Sequence, residues 1–196
     1  MRIISGNARG RKIKSAKGKH LRPTSDLVKG AIFNIIGENV KSACVLDLFA
    51  GSGSLGLEAL SRGVNFSTFV ESSATSCRLI HQNLKLLGFE RKAKVIRGEV
   101  FSLLSQLVRK GFQYDLIFAD PPYLSGLATK VLKSLMTPAL IKEKGLLIIQ
   151  HHQKESLSCE EGEFSLLKSK RYGLTVISFY APKHRRQKTS EVKSTT

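Results

Sequence analysis

From Cys44 onward, short apolar runs alternate with stretches of helical periodicity. Cys44–Leu48, Phe66–Val70, Lys94–Arg97, Tyr114–Ala119 and Leu146–Gln150 are short runs that favour strands. Between them lie Leu55–Ser61, Thr75–Leu87 with Ile80, Leu84 and Leu87 on one face, the amphipathic Val100–Arg109, and a helix within Leu127–Leu135. Strands and helices in alternation predict an α/β fold, with a mostly parallel sheet covered on both faces. Two late runs, Phe164–Leu167 and Leu174–Tyr180, are joined by Lys168–Gly173, which is turn-length and carries no helix. The sheet of seven strands is therefore expected to end in an antiparallel hairpin.

Ahead of Cys44 the pattern differs. Residues 2–4 and 11–13 are apolar-basic runs around Ser-Gly-Asn-Ala-Arg-Gly, which predicts a small hairpin carrying Arg2, Arg9 and Arg11. Residues 14–22 are basic and aperiodic and read as a mobile arm. Arg22-Pro-Thr-Ser-Asp26 then announces a helix, with Thr24 or Ser25 as cap, Val28, Ile32, Ile35 and Ile36 at helical spacing, and Gly37 as its stop. The expected organisation is a basic N-terminal extension (1–40), an α/β domain (41–182) and a basic, disordered tail (183–196).

Charge adds a partner to this picture. Lys and Arg number 32 against 15 Asp and Glu, a net charge of +17. Residues 1–29 hold nine basic side chains against one acidic, and residues 183–196 five against one. Charge gathered at the two ends suits a polyanion-binding face, although the tail alone is equally compatible with a merely solvated role. Three widely spaced cysteines form no metal-ligand pattern and argue for a reducing compartment. With no apolar signal core and no run long enough to span a bilayer, the expectation is a cytoplasmic protein without membrane or metal.

Two motifs carry chemistry. Val45-Leu-Asp-Leu-Phe-Ala-Gly-Ser-Gly-Ser-Leu-Gly56 is a strand, a glycine turn and a helix start, with Gly51, Gly53 and Gly56 in G-x-G-x-x-G spacing and Glu71 at the end of the next strand. Glycines and Glu71 alone fit a dinucleotide or another adenosine cofactor. Asp47 tilts the choice, because its carboxylate would repel a pyrophosphate yet attract the amino group of S-adenosylmethionine. Glu99 could reach an adenine amino group or simply be a solvated acid at a helix start. The second motif is Asp120-Pro-Pro-Tyr123, directly after an apolar strand. Consecutive prolines end the ladder and leave a carboxylate, rigid carbonyls and a ring at the strand's C-terminal edge, where ligands bind in such sheets. Asp120 and the Pro121 carbonyl could accept N–H bonds from a base amino nitrogen as it pyramidalises under methylation, and Tyr123 could stack on the base. In isolation, Asp-Pro-Pro is an ordinary turn opener; the glycine loop makes it half of a site.

Asp47 to Gly56 resembles the S-adenosylmethionine motif, and Asp120 to Tyr123 the catalytic motif, of amino-methylating Rossmann-like methyltransferases. More narrowly, Arg2-Ile-Ile-Ser-Gly, Arg9-Gly-Arg-Lys, Leu21-Arg-Pro-Thr-Ser-Asp, Ala31-Ile-Phe-Asn-Ile-Ile, Asp47 to Arg62, Phe118 to Tyr123 and Tyr172-Gly-Leu-Thr are similar to segments of the RsmD family, up to about Tyr180. That family methylates guanine N2 in bacterial small-subunit (16S) ribosomal RNA. The resemblance implies a Rossmann-like class I methyltransferase fold, with S-adenosylmethionine contacts from Asp47, Phe49, Gly51, Ser52, Gly53, Glu71, Ser72, Glu99 and Val100. It implies catalysis by Asp120, Pro121, Pro122 and Tyr123, and RNA contacts from Arg2, Arg9, Arg11, Lys12 and Arg22. The implied partner is ribosomal RNA in an assembling small subunit, met by a monomer. Three positions depart from the family pattern: Lys29-Gly30 in place of Arg-Glu, Glu99 in place of Asp, and Gln150 in place of an acid. His151 and His152 after Gln150 read as loop or core residues rather than metal ligands.

Other functions compete with this expectation. An adenine-N6 methyltransferase acting on RNA or DNA could use the same turn, but the short chain has no evident target-recognition domain. A non-catalytic RNA-binding assembly factor is disfavoured by the intact Asp47 and Asp120. An NAD oxidoreductase is disfavoured by Asp47 and the double proline.

Overall fold

The structure, a computed structural model, describes residues 1–15, 26–135 and 138–183. It divides into two compact units, Met1–Leu103 and Leu104–Thr196. Arg22, the capping candidates Thr24 and Ser25, most of the basic arm and all of the tail beyond Lys183 lie outside the described residues.

In the first unit Arg2 and Lys12 bridge antiparallel, which forms the expected hairpin. Helix α1 (Asp26–Ile36) stops at Gly37, where a 3-10 turn, Gly37–Val40, takes over. There follow β1 (Cys44–Leu48), α2 (Ser54–Ser61), β2 (Phe66–Glu71), α3 (Ala74–Leu87) and β3 (Ala93–Arg97). The strands pair in parallel in the order β3-β2-β1. Strands β1 and β2 are buried on both faces, so apolar residues occupy both alternations of each, interrupted by Asp47 in β1 and by Ser67 and Thr68 in β2. Helix α3 is capped by Ser73, whose hydroxyl accepts from the Ser76 N–H, and ends at Gly88 in the left-handed region.

The N-terminal hairpin is docked on α2 by buried polar groups. Glu58 of α2 is fully buried and accepts from the backbone N–H groups of Ile4 (2.8 Å) and Ser5 (3.0 Å). It also pairs with Arg62 (2.9 Å) and with the buried ammonium of Lys29 (3.4 Å), which donates to the Arg2 carbonyl at 2.6 Å. Burial pushes the Lys29 pKa below its ordinary value, against the opposing pull of Glu58. Arg62 in turn lies 4.6 Å over the Phe33 ring of α1. Gly6 packs so closely on the end of α2 that a Cβ there would sit 1.8 Å from the Ser61 carbonyl oxygen. Lys29, one of the departures from the family pattern, is thus the counter-ion of a buried carboxylate.

The division between units falls inside α4 (Val100–Arg109). The second unit continues with β4 (Tyr114–Ala119), α5 (Leu127–Ser134), β5 (Ile141–His152), β6 (Glu160–Glu161), β7 (Phe164–Tyr172) and β8 (Thr175–Pro182). The order is β4-β5-β8-β7-β6; β4 and β5 are parallel and the remaining pairs antiparallel. Three features differ from expectation. Strand β5 begins at Ile141 and runs through His152, beyond the expected Leu146–Gln150 at both ends. The two-residue β6 adds an eighth strand, too short to give a periodic signal. Lys168–Tyr172 continue β7 and pair with β8, leaving only Gly173 and Leu174 as the turn. Among the described residues no helix is long and apolar enough to cross a membrane.

Candidate active site

The glycine loop sits at the C-terminal end of β1 in the first unit. Asp47 is 2% exposed, and its Oδ2 accepts from the Gly56 N–H (2.9 Å), inside the first turn of α2. This carboxylate therefore helps to cap a helix start, where the dipole favours negative charge. Phe49, next but one, has φ +57°, a left-handed conformation that costs a bulky side chain about 1–2 kcal/mol. Its ring meets Phe101 edge-on at 6.3 Å. Such strain persists where surrounding contacts over-determine the backbone, and here they do. The Gly51 N–H donates to Glu71 Oε2 (2.8 Å), and the buried Asn83 side chain donates to the Ser52 carbonyl (3.0 Å).

Two glycines explain the loop's shape. At Gly56 a Cβ would lie 2.3 Å from the Phe69 ring and 2.8 Å from Ser67 Oγ, so only glycine lets α2 approach β2 this closely. At Gly51 a Cβ would find nothing nearer than the Phe49 carbonyl oxygen at 4.0 Å, so the space over this turn is open to a ligand approaching the backbone. Glu71 ends β2, and its second oxygen accepts from the Ser73 N–H (2.8 Å). The Gly98 N–H donates to the Glu71 carbonyl (3.0 Å), which draws Glu99 and the start of α4 to the same edge. Ser72 and Glu99 are exposed there, and Val100 is buried. Asp47, the loop from Phe49 to Gly53, Glu71, Ser72 and Glu99 are thus gathered at one end of the β1–β3 strands.

The basic residues of the N-terminal hairpin are exposed, but not all are idle. Arg2 pairs with Asp26 at 3.1 Å. The Arg11 guanidinium donates to the Leu86 and Leu87 carbonyls, placing a cation at the C-terminal end of α3. Arg9 and Lys12 are exposed.

In the second unit, Asp120 follows β4 half-buried, Pro121 is buried and Pro122 exposed. Ser125 closes the turn by donating its hydroxyl proton to the Pro122 carbonyl. The Tyr123 hydroxyl shares a 2.8 Å hydrogen bond with Thr175 Oγ1 of β8, and its ring lies 5.9 Å from that of His152 at the end of β5. The catalytic candidate's ring is therefore fixed from two strands. Neither partner was assigned a part in the site from the sequence: His152 read only as a loop or core residue, and Thr175 only closes the Tyr172-Gly-Leu-Thr segment. His151 and His152 are both buried in β5; burial lowers the His151 pKa, and its Nε2 lies 2.9 Å from Ser178 Oγ. Gln150 is buried, and its amide nitrogen has no hydrogen-bond partner among the described residues.

Leu124 follows the motif with φ +57° and is 61% exposed. Its backbone is strained and its side chain has little packing to lose. Leu124→Gly is expected to raise the unfolding free energy by about 0.5–1 kcal/mol, read as a shift in the urea midpoint.

Residues 1–181 match the model of the family described as Conserved hypothetical protein 95. YlbH of Bacillus subtilis is 35% identical over 180 residues, covering 92% of this chain and 98% of its own. Ribosomal RNA small subunit methyltransferase D of Escherichia coli is 32% identical over 180 residues, covering 92% and 89%. A solved structure of yhhF from Escherichia coli superposes with a TM-score of 0.80 at 31% identity, covering 93% of this chain and 98% of that one.

Proposed function

Because the chain belongs to the Conserved hypothetical protein 95 family, we propose that it is an S-adenosylmethionine-dependent methyltransferase of small-subunit ribosomal RNA, acting on the exocyclic N2 of a guanine. The observation that carries this reading is the Asp120-Pro-Pro-Tyr123 turn at the end of β4, with Tyr123 held by Thr175 and His152. Relatives named Ribosomal RNA small subunit methyltransferase D, at 32–36% identity over most of the chain, support the substrate class.

S-adenosylmethionine fits the residues at the glycine loop. Gly51 leaves its backbone approachable, Asp47 offers a carboxylate to the amino group, and Glu71 and Glu99 offer acceptors to ribose hydroxyls and an adenine amino group. When bound, this cofactor supplies a methyl group activated by its sulfonium charge. The chain's own residues supply position and hydrogen bonding. A guanine amino nitrogen is a poor nucleophile because its lone pair is delocalised into the ring. N–H bonds to the Asp120 carboxylate and the Pro121 carbonyl favour the pyramidal nitrogen on which positive charge develops, and Asp120 is placed in sequence to take the proton released. Tyr123 stacks on the extruded base and sets its plane. The cationic hairpin residues Arg2, Arg9, Arg11 and Lys12, with Arg22, hold phosphates.

The test is to incubate the protein with labelled S-adenosylmethionine and either a 16S ribosomal RNA transcript or small subunits lacking the modification, then to digest and identify the nucleoside. N2-methylguanosine is the expected product. N6-methyladenosine would replace the guanine assignment, and an unlabelled digest from both substrates would defeat the proposal.

A further inference from the structure

We propose that Lys168 and Lys170 on β7 form a second RNA-contacting strip, on the same sheet face as Tyr123 and distinct from the N-terminal cluster. This rests on the rRNA-methyltransferase reading above. The geometry comes from strand register. Along the last turn Tyr172 pairs with Thr175, Lys170 with Ile177 and Lys168 with Phe179. Directly paired residues point to one face, so Lys168, Lys170 and Tyr172 share the face of Thr175. That face is Tyr123's, because Tyr123 bonds Thr175 and packs by His152, which itself pairs with Thr175 across β5 and β8. The opposite face carries His151 and Ser178, joined at 2.9 Å, and Ser169, whose hydroxyl lies 3.5 Å from that of Ser178. Lys170 and Lys168 therefore lie about 7 and 13 Å along the strand from Tyr172.

Charge and surroundings make these lysines available. Both are exposed, and no ion pair among the described residues involves either. Two other lysines of this unit have acidic partners: Lys142 pairs with Asp115 (2.9 Å) and Lys183 with Glu160 (3.4 Å). Beyond its pairing with β6 at Phe164 and Ser165, the outer edge of β7 has no further strand among the described residues. Nothing described on that side competes with a bound strand. Two unpaired ammonium groups beside the ring that would hold the target base suit the phosphates of the nucleotides flanking it.

Lysines on an edge strand also discourage strand-to-strand association, and the experiment separates the two roles. Lys168→Glu/Lys170→Glu keeps the edge charged but reverses its sign. A control, Lys110→Glu/Lys144→Glu, makes the same change in net charge at exposed residues near the other end of β4 and β5. With a 16S ribosomal RNA transcript, the strip variant is expected to bind roughly 10-fold more weakly than the control. Its log–log salt slope should be shallower by roughly 1.5, as for two lost phosphate contacts. KM for RNA should rise while kcat and S-adenosylmethionine affinity stay put. RNA should also protect Lys168 and Lys170 of the wild-type protein from acetylation, a readout independent of any variant's folding. RNA affinity and slope equal to the control's, or acetylation unchanged by RNA, would overturn the strip while leaving the methyltransferase reading intact. Failure of the wild-type protein to bind or methylate the RNA would remove both.

Discussion

Asp120→Ala is expected to slow methyl transfer roughly 10²–10⁴-fold while the Kd for S-adenosylmethionine stays at its wild-type value. The asymmetry follows from chain placement. Asp120 belongs to the turn after β4, whereas the loop that fits the cofactor is built on β1 and β2 and stapled by Glu71 and Asn83. The substitution removes an acceptor from the amino nitrogen without touching those staples. Asp120→Asn keeps a neutral acceptor and should fall between alanine and wild type. Single-turnover transfer of labelled methyl, set beside calorimetric titration of the cofactor, checks both halves. Parallel loss of transfer and cofactor affinity would show that Asp120 supports the fold of the site and has no part in the chemistry.

The largest effect on stability is expected at Glu58. In Glu58→Ala the fully buried Lys29 loses its carboxylate, and the Ile4 and Ser5 N–H groups lose their acceptor. Removing one partner of a buried pair costs about 3–5 kcal/mol, because the other charge stays in a poorly solvating interior. Lys29 can relieve part of this by shedding its proton, a direction in which burial already pushes it. Adding Lys29→Met should restore part of the loss. Urea unfolding measures the total, and hydrogen exchange at the Ile4 and Ser5 amides reports whether the hairpin has come away from α2. An unfolding midpoint at the wild-type value would refute the assigned role of the pair.

What the sequence discloses, and what it hides, follows from where each signal comes from. Strands β1, β2 and β4 are buried, so their apolar runs announce them. The two motifs announce themselves because turn chemistry is local: prolines and glycines restrict backbone angles wherever they stand. The second half of β7 is different. Lys168-Ser-Lys-Arg has no apolar alternation, because it lies where the sheet meets solvent, and only its pairing with β8 makes it a strand. Glu58 and Lys29 were equally illegible. Between them lie 28 residues of sequence, and nothing at either position says that the other neutralises it. Asn83 falls within a predicted helix, yet its bonds to Lys14 and Ser52 depend on three segments meeting. Local chemistry is written in neighbouring residues; long-range polar pairing is not.

The bond between Tyr123 and Thr175 also sets a clock. The partners are 52 residues apart, so at about 5–20 residues per second a ribosome needs about 3–10 s to make the second after the first. Throughout that interval the Asp-Pro-Pro-Tyr turn exists without the strand that anchors its ring. The turn is finished only when β8 has paired with β5. A nascent chain can therefore complete its glycine loop well before the Tyr123 ring is anchored.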